Sequence, residues 1–238
     1  MTSDQMAEVD RLMIEEWGIG LLQMMENAGR GIASVIRKRF LGGRVEGARI
    51  TVLAGPGGNG GGALVAARRL HGRGARVRVV MSRANGRLRP ETARQLRTLR
   101  AIGVPVSGPE PEDGPDGPDG GAGILVDGLI GYGLVGAPRG EAAALVRGAN
   151  AAHLPIVSVD IPSGVDATSG EPADPAVRAA ATVTLALPKT GLFARAAQGH
   201  VGELYLADIG VPPSLYSAPS LGLAVGPIFA DGDVLRLA

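Results

Sequence analysis

Arg49–His71 reads RITVLAGPGGNGGGALVAARRLH, a short apolar run, a glycine-packed turn and an Ala-rich segment in immediate succession. Arg49–Leu53 has the composition of a strand buried on both faces, and Gly61–His71 that of a helix. The turn between them, Ala54-Gly55-Pro56-Gly57-Gly58-Asn59-Gly60-Gly61-Gly62, satisfies the spacing G-x-G-x-x-G. Glycine allows close backbone approach there, and the N-terminus of the following helix attracts phosphate. A strand–turn–helix unit of this kind belongs to a parallel α/β sheet, in which ligands bind at the carboxyl ends of the strands.

Working outward, the same alternation recurs. Residues 4–17 and 20–40 read as helices; in the second, Leu21, Met25, Ala28, Ile32, Val35 and Ile36 recur at three- and four-residue spacing. Beyond the glycine turn come strand Arg76–Met81, helix Pro90–Ile102 opened by its proline, strand Ile124–Asp127, helix Gly140–Ala152 and strand Pro155–Asp160. Thr182–Leu187 and Glu203–Asp208 are late strands, and Gly108–Gly123, dense in Gly, Pro, Asp and Glu, is a loop. The expected architecture is one α/β domain over residues 1–238. It is a three-layer Rossmann-like fold with a mostly parallel sheet, right-handed crossovers and helices on both faces.

Composition narrows the function classes. The chain has 238 residues, 45% of them hydrophobic, enough for a real core. A formal charge of +1 and 3% aromatics leave neither an electrostatic footprint nor stacking platforms for nucleic acid. With no cysteine, disulfide and thiolate chemistry are excluded. Neither a signal peptide nor a bilayer-spanning run is legible, so the expectation is a soluble cytoplasmic protein with no membrane partner.

Two further strand ends carry carboxylates. Val126-Asp127-Gly128-Leu129-Ile130-Gly131-Tyr132-Gly133-Leu134 places Asp127 at one, and Val159-Asp160-Ile161-Pro162-Ser163-Gly164 places Asp160 at the next. Asp127 can bind a cation, accept a proton or cap the next turn. Two such groups side by side need a cation or a proton between them, which points to a site. The oxygen ligands Asn59, Asp127 and Ser163 suit a hard cation, whereas His71, His153 and His200 stand isolated. Lys189, after Leu187-Pro188, either reaches a ligand phosphate or is solvated. The second strand ends Met81-Ser82-Arg83, with no ribose-binding carboxylate but with an arginine able to meet a 2′-phosphate.

With these residues in place, the chain resembles the NAD(P)H-hydrate epimerases, the YjeF N-terminal domain family. The family's G-P-G-N-N-G-G-D-G-L-V-A-A-R corresponds to Gly55–Arg68, and its V-D-A-x-x-G-x-G-L to Val126–Leu134. D-I-P-S-G and L-P-K-x-G fall at Asp160–Gly164 and Leu187–Gly191, in the same order. The resemblance implies a homodimer that binds K⁺ and epimerises hydrated NADH or NADPH. On that pattern Asn59, Asp127 and Ser163 hold K⁺. The substrate site it implies is Gly58, Asn59, Gly60, Gly61, Gly62, Gly131, Tyr132, Gly133, Leu134, Val135, Gly136, Ala137 and Asp160; Lys189 joins it from its strand-end position, and Asp127 is the first choice for acid–base work. Two positions depart: the motif's first Asn is Gly58 and its Asp is Gly62. That leaves open a nucleotide-binding or assembly module that has lost turnover.

Overall fold

A computed structural model describes residues 1–83, 88–108 and 123–238. The loop expected over Gly108–Gly123 falls almost wholly outside the described residues. Among the described residues the sheet has eight strands: β1 Arg49–Ala54, β2 Arg76–Met81, β3 Val106–Ser107, β4 Ile124–Gly128, β5 Ile156–Val159, β6 Ala181–Leu185, β7 Glu203–Ala207 and β8 Val234–Arg236. Their order is β3-β2-β1-β4-β5-β6-β7-β8, every neighbouring pair parallel except β7–β8. The order reverses direction between β1 and β4, which makes their carboxyl ends the topological switch point. The adjacency of the two carboxylate-bearing strands is met, because β4 pairs with β5.

The longer helices among the described residues are α1 Ser3–Arg11, α2 Leu21–Val35, α3 Gly58–His71, α4 Pro90–Ala101 and α5 Gly140–Ala151. The first two continue as π-helical turns, Leu12–Glu16 and Ile36–Phe40, which accounts for the longer spans read from the sequence. α2, α3 and α4 cover one face of the sheet, packing Ile32, Leu64, Leu70 and Leu99 on Val52, Val79, Val126 and Val157. α5 covers the other, with Val146 and Ala149 against Leu53, Val80, Leu125 and Ile156. Strand parity therefore sorts side chains: Val126 and Val157 face α3, whereas Leu125 and Ile156 face α5.

Three differences from the sequence reading have local causes. α3 begins at Gly58, three residues before the expected Gly61, because the Gly61 N–H already bonds to the Gly57 carbonyl. Glycine's poor helix propensity hid that first turn. β3 has two residues and β8 three, too few for periodicity to register. β6 stops at Leu185 because Ala186 turns away with φ +64°. Among the described residues no helix is long and apolar enough to cross a membrane.

Candidate functional site

A cavity of about 880 Å³ lies over the carboxyl ends of β1, β4 and β5. Its wall follows from how glycine lets the turns after β1 and β4 meet. A Cβ on Gly55 would strike the Leu129 carbonyl, one on Gly60 the Gly55 carbonyl, and one on Gly128 the Ala63 side chain. The Gly55 N–H donates to the Gly128 carbonyl at 3.0 Å, locking the β1 and β4 turns together. The first-turn N–H groups of α3 at Gly58, Asn59 and Gly60 precede the first intrahelical bond, and no side chain among the described residues caps them. The helix thus directs a bare, partly positive end at the cavity.

Most of the expected substrate residues line it: Gly58, Asn59, Gly62, Gly131, Tyr132, Gly133, Leu134, Val135, Ala137, Asp160 and Lys189. Gly60, Gly61 and Gly136 do not. Gly60 packs on the Gly55 backbone just after β1, Gly61 is pressed against Met25 and Thr92 where α3 meets α2 and α4, and Gly136 serves a turn at φ +71°. Those glycines answer to packing and chain direction. Gly58 is different, with open space around a notional Cβ, and at Gly62 a Cβ would meet Ala28 at an ordinary 3.6 Å. The fold does not require glycine at either.

The two carboxylates have different surroundings: one is enclosed by protein and the other faces the cavity. Asp127 shares the parity of Leu125 and points to the α5 face, opposite Ser158 in register. It is fully buried and does not line the cavity. Its Oδ1 accepts from Ser163 Oγ at 2.6 Å and from the Leu129 N–H at 3.2 Å; Oδ2 accepts from Ser158 Oγ at 2.8 Å and the Ser163 N–H at 2.9 Å. Capping, one of its three roles open in the sequence, is what Asp127 does here. Burial pushes its carboxyl above the usual range, and these donors pull against that.

Asp160 faces the cavity from a left-handed backbone conformation, φ +66°, which turns the chain out of β5. Its Oδ1 accepts from Lys189 Nζ, from Thr184 Oγ1 at 3.3 Å and from the Leu185 N–H at 3.2 Å. Lys189 is 0% exposed and also donates to the Leu185 carbonyl at 2.8 Å. The solvated alternative for Lys189 is thereby corrected: the sharp turn after β6 folds its side chain back onto Asp160. The cation that two adjacent carboxylates called for is, at Asp160, a lysine of the chain itself.

Asn59, Asp127 and Ser163 meet around one turn. The Asn59 side chain lies against Gly131, where a Cβ would come within 3.1 Å of its amide, and Ser163 Oγ accepts from the neighbouring Ile130 N–H at 2.9 Å. Asn59 Nδ2 is buried with no hydrogen-bond partner among the described residues. Such an orphaned donor is costly. Turned over, the nearly isosteric amide presents its oxygen instead, so that all three side chains offer oxygen donors with one formal charge among them, the chemistry that suits a hard monovalent cation. Among the described residues no group of three or more His, Asp or Glu side chains could hold a metal.

Sequence reasoning missed the contributions of the helices before β1. Met6 and Asp10 from α1, and Leu21, Met24 and Met25 from α2, wall the cavity. Helical periodicity marked two of these, Leu21 and Met25, as core, which is how an apolar cavity wall also reads. Arg83, Arg89 and Arg139 stand around the same cavity.

The family model described as "YjeF-related protein N-terminus" matches residues 21–191. An NAD(P)H-hydrate epimerase of Dehalogenimonas lykanthroporepellens is 44% identical over 238 residues, covering 100% of this chain and 92% of that protein. A bifunctional NAD(P)H-hydrate repair enzyme Nnr of Moorella thermoacetica is 36% identical over 218 residues, covering 90% of this chain but 41% of that protein. Among solved structures, that of the yeast protein ynu0 superposes with a TM-score of 0.77 at 26% identity, covering 99% of this chain and 98% of that one.

Proposed function

This chain belongs to the YjeF-related N-terminal family, and we propose that it is an isomerase, an NAD(P)H-hydrate epimerase that interconverts the R and S forms of hydrated NADH or NADPH. The observation that carries the proposal is the buried Asp160–Lys189 pair facing an 880 Å³ cavity beside the uncapped N-terminus of α3. A helix end with free N–H groups binds a pyrophosphate, and the cavity is large enough for the rest of a dinucleotide.

The chemistry asks for one mobile proton. The hydrated ring carries a hydroxyl on the carbon beside its nitrogen. As the nitrogen lone pair forms the C=N bond, the C–O bond breaks with its electrons on oxygen, and a proton from the Asp160–Lys189 pair lets that oxygen leave as water. Water then adds to either face of the iminium, the ring nitrogen recovers its lone pair, and the proton returns to the pair. Lys189 holds Asp160 in place, and the cavity wall positions the ring against the pair. Asp160 thus takes the acid–base part for which Asp127 was the sequence's first choice, since Asp127 is enclosed by four protein donors.

K⁺ would be held by Asn59, Asp127 and Ser163, where it would offset the charge of Asp127 at the glycine turn. NADPH hydrate is accommodated if Arg83 meets the 2′-phosphate from the end of β2, where it lines the cavity. Association with a second copy rests on the family resemblance, and sedimentation measures it. The deciding experiment mixes the protein with the R epimer and follows its conversion to S; no acceleration over the spontaneous reaction refutes catalysis.

One observation favours the alternative of a binding module without turnover: Gly58 and Gly62 line the cavity where the family motif has Asn and Asp. Both positions have room for a side chain, so Gly58→Asn with Gly62→Asp tests it directly. On the module reading, the wild type binds nucleotide without turnover and the double replacement creates activity. A measurable wild-type rate left unchanged by both shows that the missing groups are not needed.

A further inference from the structure

A second carboxylate faces the cavity, and it forms no ion pair among the described residues. Asp10 follows Met6 by four positions on α1, so both look inward from the same helical face. Its Oδ2 accepts a hydrogen bond from the Tyr132 hydroxyl at 2.5 Å. Tyr132 comes from the turn after β4, so this bond ties the first helix to the catalytic end of the sheet. The Oδ1 atom accepts no hydrogen bond among the described residues, and Met6, Met24 and Met25 line the cavity nearby.

The charged and titratable groups that face Asp10 are Tyr132, Lys189, Asp160 and Arg89. Of these, Lys189 is committed to Asp160, and Arg89 makes no ion pair with Asp10. Burial raises the Asp10 carboxyl, which means that its negative charge is poorly compensated. A carboxylate in that condition is stabilised by any cation that enters beside it.

Resting on the epimerase reading, the ligand ring is neutral when it binds and becomes positive only when its hydroxyl has left. We infer that Asp10, oriented by Tyr132, is the counter-ion of that cationic ring, so that it stabilises the state formed after C–O cleavage more than the bound substrate. An interaction made only after the charge develops raises kcat and leaves KM nearly unchanged. Tyr132 is the positioning residue: its O–H occupies Oδ2 and leaves Oδ1 for the ring.

The test uses two stable nucleotides that differ in the charge of the nicotinamide ring, NAD⁺ and NADH. Calorimetry gives their dissociation constants for the wild type, Asp10→Asn and Tyr132→Phe, alongside kcat and KM for epimerisation. The wild type is expected to favour NAD⁺, with a preference that falls about tenfold or more in Asp10→Asn, because the charge is lost while the shape is kept. Tyr132→Phe should lower it less, and kcat of Asp10→Asn should fall about tenfold or more while KM stays within about threefold. A preference unchanged by Asp10→Asn, an equal loss of affinity for both nucleotides, or a wild type that binds neither overturns the inference. A preference that depends on Asp10 in a protein with no epimerase activity refutes the functional reading and leaves the cation site standing. If Asp10→Asn does not fold, Tyr132→Phe carries the same comparison, and an unchanged preference there overturns the inference.

Discussion

Replacing Lys189 by Met strands the charge of Asp160. Methionine keeps most of the stem's volume, so packing changes little and the lost ammonium dominates. The wild-type Nζ donates to Asp160 and, at 2.8 Å, to the Leu185 carbonyl, in a side chain that is 0% exposed. What remains for Asp160 is the Thr184 hydroxyl at 3.3 Å and the Leu185 N–H at 3.2 Å, both long for bonds to a carboxylate. Breaking a buried pair by removing one partner costs about 3–5 kcal/mol. In a domain of this length, each kcal/mol lowers the melting temperature by about 2–4 °C. The expected fall is therefore roughly 6–20 °C, a large share of a total stability of about 5–15 kcal/mol. Urea denaturation followed by circular dichroism, with scanning calorimetry in parallel, measures it. The control is Lys189→Met with Asp160→Asn, which removes the stranded charge and should recover about 1–3 kcal/mol. A single variant destabilised by less than about 1 kcal/mol would refute the reasoning, for that is the scale of an exposed pair. So would a double variant no more stable than the single one.

Gly60→Ala should destabilise the domain by about 1–3 kcal/mol or more, since its Cβ meets the backbone of Gly55 and not a movable side chain. Gly62→Ala should be neutral or stabilising by about 0.5–1 kcal/mol, because it relieves a glycine in a helix without a clash; equal effects in chemical denaturation would refute the distinction. Asp127→Asn should cost about 1–3 kcal/mol, because each carboxylate oxygen accepts a backbone N–H and an amide NH₂ must face one of them. In the wild type, KCl should raise the melting temperature more than a bulky ammonium chloride at equal ionic strength. Asp127→Asn should erase that difference, and equal responses in the wild type would remove the proposed cation site. Glu203 is paired with Arg39 at 2.7 Å, and its carboxyl is held down to about 2 from an ordinary 4.5. Its folded-state value lies below its unfolded one, so the stability it adds is present above about pH 4.5 and lost as pH falls toward 2. Titration followed by NMR should show Arg39→Ala returning it toward the ordinary range.

The sequence by itself determined the fold class and the place of the cavity. The short apolar runs Arg49–Leu53 and Arg76–Met81, with the Ala-rich Gly61–His71 between them, mark a strand–helix–strand unit without any tertiary information. Gly55 and Gly128 mark where two turns must touch, a demand that no larger residue meets. Only the tertiary structure decided which residues serve the site. Asp127 and Asp160 look equivalent at adjacent strand ends, yet strand parity turns the first to the α5 face. The left-handed turn at Asp160 brings the second into the cavity. Gly60 and Gly62 are likewise identical letters, separated only by what lies against them. Lys189 finds Asp160 and Asp10 finds Tyr132 across 29 and 122 residues of chain. Pairings of that span are made by the docking of elements, and no local period or propensity encodes them.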